Sequence, residues 1–201
     1  MATLALVLWI GGAALVLGVR GLAHRRRTGH VRFAVRPDAL SLLLVAGVLT
    51  AGLAGPVAGI AGLPPLGVLD RPLIGAAGVV LVGLGLVAML ATPAAMGDSW
   101  AAPGIDQGGR GRLITSGPFS VVRNPVYTST IAAYLGLLLM VPNGVELAGF
   151  AAILIGFELV VRVVEEPGMR RVHGVAYERY ATSVGRFVPF IGRIREEGGR
   201  S

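Results

Sequence analysis

Long uncharged runs, each bounded by charged residues, set the pattern of this chain. The first run covers residues 1–19, and its arginines follow the apolar stretch instead of preceding it. A cleaved leader carries its positive charge ahead of the apolar run, so the first run reads as a spanning helix. Asp38 and Asp70 bracket the second run, whose helical part is 39–60, ahead of the Pro64-Pro65 break. The third is 72–90, the fourth 126–141 and the fifth 144–164. A spanning helix takes roughly 20 apolar residues, and these runs are close to that length. The predicted fold is therefore an all-α integral membrane protein with five transmembrane helices. Three of them fill residues 1–97, and two lie in a second region, 98–201. A short turn at Val141-Pro142-Asn143-Gly144 makes helices four and five an antiparallel hairpin. Asn143 and Glu146 stand at the spacing of a capping box.

Composition supports the membrane reading. Hydrophobic residues are 54% and charged residues 14% of the 201, against about 25% charged in soluble domains. With no cysteine, disulfides, thiolate metal sites and thiol catalysis are excluded. No His/Asp/Glu set has metal-ligand spacing, so no metal is expected, and no basic patch interleaved with aromatics points to nucleic acid. The abundance of Ala, Gly, Val, Arg and Pro suggests a GC-rich genome.

Every one of the 18 basic residues is arginine, and their positions predict orientation. With the N-terminus outside, seventeen fall on the inner side and Arg71 alone on the outer. This strong positive-inside bias predicts an N-out, C-in chain. Glycines such as Gly78, Gly83 and Gly85 predict close approach of the third helix to a neighbour.

The remaining polar information lies in two stretches. Residues 111–127 hold a Gly117-Pro118 turn, Arg123, Asn124-Pro125 and Tyr127. Pro125 suits the first turn of a helix, whose free N–H groups can meet an anion. Equally, the same residues make an ordinary helix start with a snorkelling arginine. In the second stretch, Glu158 lies inside an apolar run, four residues before Arg162. An ionisable residue there is either functional or paired along the helix. Glu165 and Glu166 follow, unfavourable to a helix C-terminus unless arginines or a cation compensate. From Pro167, apolar Met169, Val172, Ala176 and Tyr180 recur at helical spacing, predicting an amphipathic helix over 167–183.

The ordered set of motifs resembles the isoprenylcysteine carboxyl methyltransferase family and the related membrane phospholipid methyltransferases. It comprises Leu113-Ile114-Thr115-Ser116-Gly117-Pro118-Phe119, Arg123-Asn124-Pro125-Val126-Tyr127, Arg162, Glu165-Glu166, His173-Gly174, Tyr177, Tyr180 and Arg186-Phe187-Val188-Pro189. The resemblance runs from about Trp100 to Pro189. Asn124 stands where the family usually has histidine, Gly111 where one often precedes the turn, and Phe119 where tyrosine is usual. Pro167-Gly168 follows the glutamates.

The resemblance implies an S-adenosylmethionine-dependent methyltransferase of the bacterial cytoplasmic membrane, its site facing the cytoplasm. It assigns the cofactor to Gly111, Arg112, Leu113, Ile114, Phe119, Asn124, Pro125, Val126, Tyr127 and Glu165. Arg162, Arg186 and Arg123 are the candidates for orienting an acceptor carboxylate, with an Arg123–Glu166 pair the alternative for Arg123. The implied acceptor is lipid-like: the carboxylate of an isoprenylcysteine or isoprenoid molecule, or else a phospholipid headgroup. A carboxylate acceptor is already ionised, so the protein has only to position it in a dry site. A nicotinamide-dependent membrane reductase or a non-catalytic membrane protein are the other classes weighed. The absence of a Gly-rich dinucleotide motif argues against the reductase.

Overall fold

The computed structural model describes residues 1–28, 39–96 and 113–194. Its elements in order are α1 (Ala2–Thr28), α2 (Ala39–Ile60), α3 (Pro72–Met96), a 3-10 turn (Gly117–Ser120), α4 (Pro125–Met140) and α5 (Gly144–Val160). A π turn (Val161–Glu165), α6 (Glu166–His173) and α7 (Val175–Ser183) follow. Among the described residues there is no strand, only an isolated parallel bridge between Val122 and Gly185.

Among the described residues, four helical stretches are long and apolar enough to cross a bilayer: Ala2–Val19, Leu42–Ile60, Pro72–Thr92 and Gly144–His173. The predicted fourth span is the shorter Pro125–Met140, 16 residues. At 1.5 Å per residue it is ~24 Å long, short of the roughly 30 Å hydrocarbon. Nine of its residues, among them Ala133, Tyr134, Gly136 and Leu137, are buried. Protein therefore surrounds much of it in place of lipid, and its length need not match the bilayer.

The core is knit from several helices. Trp9 of α1 meets the Tyr134 ring edge-on at 5.0 Å, and its Nε1 donates to Leu49 O at 3.2 Å. The Tyr134 hydroxyl donates to Val48 O of α2. Glycine sets the α3–α4 seam. A methyl on Gly136 would lie 2.7 Å from Gly78 O and 2.7 Å from Val82 N, and one on Gly85 2.8 Å from Ser129 O. Gly83 does not take part, since it faces open space. Its position, two residues from Gly85, turns it to a different side of the helix. Gly136→Ala is expected to destabilise the fold by about 1–3 kcal/mol through overpacking. Gly83→Ala leaves the thermal midpoint in detergent unchanged or slightly higher.

Asn143 caps α5 by accepting from Glu146 N at 2.9 Å, while its Nδ2 donates to Gly55 O at 2.8 Å. Only half of the predicted capping box forms. The Asn143 N–H goes to Val141 O, and the fully buried Glu146 carboxylate packs against Gly55 with no hydrogen-bond partner. Such a group costs about 1–3 kcal/mol. Glu146→Leu is therefore expected to raise the thermal midpoint.

The predicted boundaries change at the far end of α5. The helix does not stop near residue 164; the backbone runs on through the π turn into α6. Nor is 167–183 one amphipathic helix. Gly174 adopts φ 51°, a left-handed conformation that glycine accepts easily, and separates α6 from α7.

Candidate active site around the paired glutamates

Two adjacent glutamates serve different neighbours. Glu166 is buried, and its Oε1 accepts from Arg123 Nη2 at 2.6 Å and Arg186 Nε at 2.8 Å. Arg186 Nη2 reaches its Oε2 at 3.1 Å. Glu165 is half-buried, and its Oε1 accepts the Tyr127 hydroxyl at 2.6 Å. The π turn delivers both residues to these positions. Single π turns inside α-helices occur often at functional sites.

Around Glu166 the chain is closed by arginine. Arg123 also donates to Ala181 O and Val184 O, both at 2.8 Å, and to Gly192 O at 3.0 Å. Arg186 adds a bond from Nη1 to Glu158 Oε1 at 2.6 Å, and Arg162 meets the same oxygen at 2.6 Å. Burial works against the charge of Arg186, but its hydrogen bonds to Glu166 and the charges of Glu166 and Glu158 outweigh it and raise its pKa above the ordinary value. For Glu166 the expected compensation is thus supplied by arginine. The expected Glu158–Arg162 pair is present, and Arg186 joins it. Of the three candidate arginines, Arg123 and Arg186 are buried in these bonds, and the Arg162 side chain is 60% exposed.

The start of α4 is fastened to the segment after α7. Arg123 N donates to Gly185 O at 2.8 Å, Asn124 N to Arg186 O at 3.1 Å, and Thr128 Oγ1 to Phe187 O at 2.8 Å. Asn124 is the N-cap by position, but its amide points at Arg186 O at 3.4 Å and makes no cap bond. Pro125 is buried at the first helical position. The first intrahelical bond is Thr128 N to Asn124 O, so the N–H groups of Val126 and Tyr127 precede the helical ladder.

Aromatic rings pack beside this start. Tyr127 lies 4.5 Å from Phe157 and edge-on 6.2 Å from Phe187. Phe187 in turn borders an open groove of about 400 Å³ with Leu154, Ile155, Glu158 and Leu159. Phe119 and Leu113 gather around α7. Tyr180 donates to Phe119 O at 2.6 Å, and Leu113 packs with Tyr177, Tyr180 and Ala181. Burial pushes the Tyr177 and Tyr180 hydroxyls up to about 12, so both stay protonated donors at neutral pH. Ile114 is half-buried next to Leu113. Gly111 and Arg112 lie outside the described residues.

The structure thus brings Asn124, Pro125, Tyr127, Glu165, Arg123 and Arg186 to one end of the bundle. Sequence reasoning did not single out Phe157, or Phe187 as a wall between Tyr127 and the groove. Phe187 sits in the Arg-Phe-x-Pro motif, but its role depends on where that motif docks. Among the described residues no cluster could hold a metal ion.

No curated protein matches the chain. The profile of the phospholipid methyltransferase family does match, over residues 73–176, which takes in α3, α4, α5, the glutamate pair and the start of α7. With half its length matched by that profile, the chain belongs to the phospholipid methyltransferase family, whose members are membrane methyltransferases.

Proposed function

We propose that this protein transfers a methyl group from S-adenosylmethionine to the headgroup amine of a phospholipid whose chain lies in the groove beside Phe187. The residues at the start of α4 suit the cofactor's amino-acid end. The Glu165 carboxylate is matched to its ammonium, and the N–H groups of Val126 and Tyr127, at a helix N-terminus, to its carboxylate. The resemblance also assigns the cofactor to Gly111, Arg112, Leu113, Ile114 and Phe119, and backbone groups near Leu113 suit its adenine edge. Bound there, S-adenosylmethionine supplies an electrophilic methyl group on a sulfonium. The chain's own part is to place the acceptor and exclude water. Phe157, Phe187 and Tyr127 form the apolar wall, and Glu165 is held by the Tyr127 hydroxyl at 2.6 Å.

One observation carries the choice of acceptor. Arg123 and Arg186, two of the three arginines suited to grip a carboxylate, are buried and committed to Glu166 and Glu158. They hold the frame and leave neither to grip an acceptor carboxylate, while the groove is almost wholly apolar, with the Glu158 carboxylate itself tied to Arg162 and Arg186. A lipid fits such a groove, and a headgroup amine needs no arginine to orient it. Its nitrogen reacts as the free base, and the proton lost on methylation passes to interfacial water. A second reading rests on Arg162, whose exposed guanidinium can meet an isoprenoid or isoprenylcysteine carboxylate at the groove mouth.

The two readings separate by substrate and by pH. With labelled S-adenosylmethionine, the purified protein should methylate phosphatidylethanolamine vesicles and leave prenylcysteine unlabelled. The subsaturating rate should rise with pH, as the fraction of free amine rises. A pH-independent rate near neutrality on prenylcysteine, with no label in the phospholipid, would establish the carboxylate reading instead.

A further inference from the structure

The segment after α7 ends in an apolar tip that nothing in the described protein covers. Val188, Phe190 and Ile191 are 50%, 74% and 65% exposed. The tip is nevertheless a built turn, since Arg186 N donates to Ile191 O at 2.8 Å and Ile191 N to Val188 O at 3.1 Å. Phe190 adopts φ 68°, a conformation that costs a non-glycine residue roughly 1–2 kcal/mol. Strain of this kind persists only where the surroundings enforce it. Here it presents a phenyl ring outward, with the Arg193 guanidinium 4.8 Å from the ring centre.

Depth identifies what the tip meets. Phe187, next to the tip, borders the groove with Leu154 and Leu159. Those residues are 10 and 15 positions from Gly144, the start of a spanning stretch. At 1.5 Å per residue they lie ~15 and ~22 Å along α5. Both depths are inside a hydrocarbon layer of roughly 30 Å. Ile155 and Leu159 themselves are 61% and 56% exposed, an outward face of a membrane helix. Phe187, which borders that face, directly precedes Val188 of the tip, and Arg193 beside it has the charge that anionic headgroups attract.

We propose that residues 188–191 insert into the membrane leaflet nearest the site and anchor the segment that carries Arg186 and Phe187. Aromatic and arginine side chains settle at that interface, where one end is apolar and the other wet. The anchor is a lipid-binding surface separate from the cofactor site, and it holds the apolar wall of that site at membrane depth.

The protein has no cysteine, so one label site can be introduced cleanly. Ile191→Cys and Glu178→Cys, both at exposed positions, would each be labelled with an environment-sensitive fluorophore. The full chain is then reconstituted in phosphatidylcholine–phosphatidylglycerol vesicles. The label at 191 should be quenched severalfold more by nitroxide on the lipid chains than by aqueous iodide. The label at 178, on α7, should show the reverse. Iodide quenching at 191 as strong as at 178 would overturn the proposal. If the Ile191 variant does not fold, Val188→Cys reports on the same tip with the same two outcomes. The readout needs neither cofactor nor turnover, so it stands apart from the methyl-transfer assay.

Discussion

Glu166→Ala should be the most destabilising single substitution at this end of the molecule, lowering stability by about 3–5 kcal/mol. The reason is what remains. Arg123 and Arg186 would keep their charges in a buried setting, with the carboxylate that both contact removed. In a chain of this size each kcal/mol shifts the thermal midpoint by roughly 2–4 °C. A fall of roughly 6–20 °C in detergent is expected, read by circular dichroism. Because Arg123 also ties down Ala181, Val184 and Gly192, the loss should reach α7 and the tip. A midpoint within a degree or two of wild type would show that Glu166 is not the centre of this cluster.

Glu165→Gln should act on the cofactor, with a large loss of affinity for it. The side chain is half-buried at the edge of the site, and glutamine still accepts from the Tyr127 hydroxyl. What disappears is the charge that matches the cofactor ammonium. A charged hydrogen bond contributes about 1.5–3 kcal/mol, so affinity for S-adenosylhomocysteine should fall roughly ten- to hundredfold. The contrast is sharp because the residues are neighbours. If Glu165→Gln lowered the midpoint and left binding unchanged, the division of labour proposed for the pair would be wrong.

The contrast also marks the limits of what the sequence discloses. Uncharged runs located α1, α2, α3 and the start of α5, because lipid demands long apolar helices and little else satisfies that pattern. The end of α5 was hidden because Pro167 looks like a break, yet proline is harmless at the first turn after a π segment that has already changed the hydrogen-bond register. Gly174 carried a visible stop signal inside the 167–183 periodicity, and the spacing of Met169, Val172, Ala176 and Tyr180 masked it. At the site, Arg123, Asn124, Tyr127, Glu165 and Arg186 were legible as an ordered set. The Arg123–Glu166 pair was one of the two roles the sequence offered for Arg123, and what could not be read was that Arg186 would be consumed as well. Arg186 pairs with Glu158, 28 residues earlier, and Arg123 with Glu166, 43 residues later. Those partners are fixed by docking of the segment after α7 onto the start of α4, through bonds between backbone groups that carry no sequence signature.

The central claim is that the end of the bundle around Tyr127 and Glu165 is a cofactor site for methyl transfer. Calorimetric titration of S-adenosylhomocysteine into the detergent-purified chain tests it most directly. Saturable micromolar binding with one site per chain is the expected result. Well-folded protein that takes up no S-adenosylhomocysteine, with or without added lipid, would contradict the account.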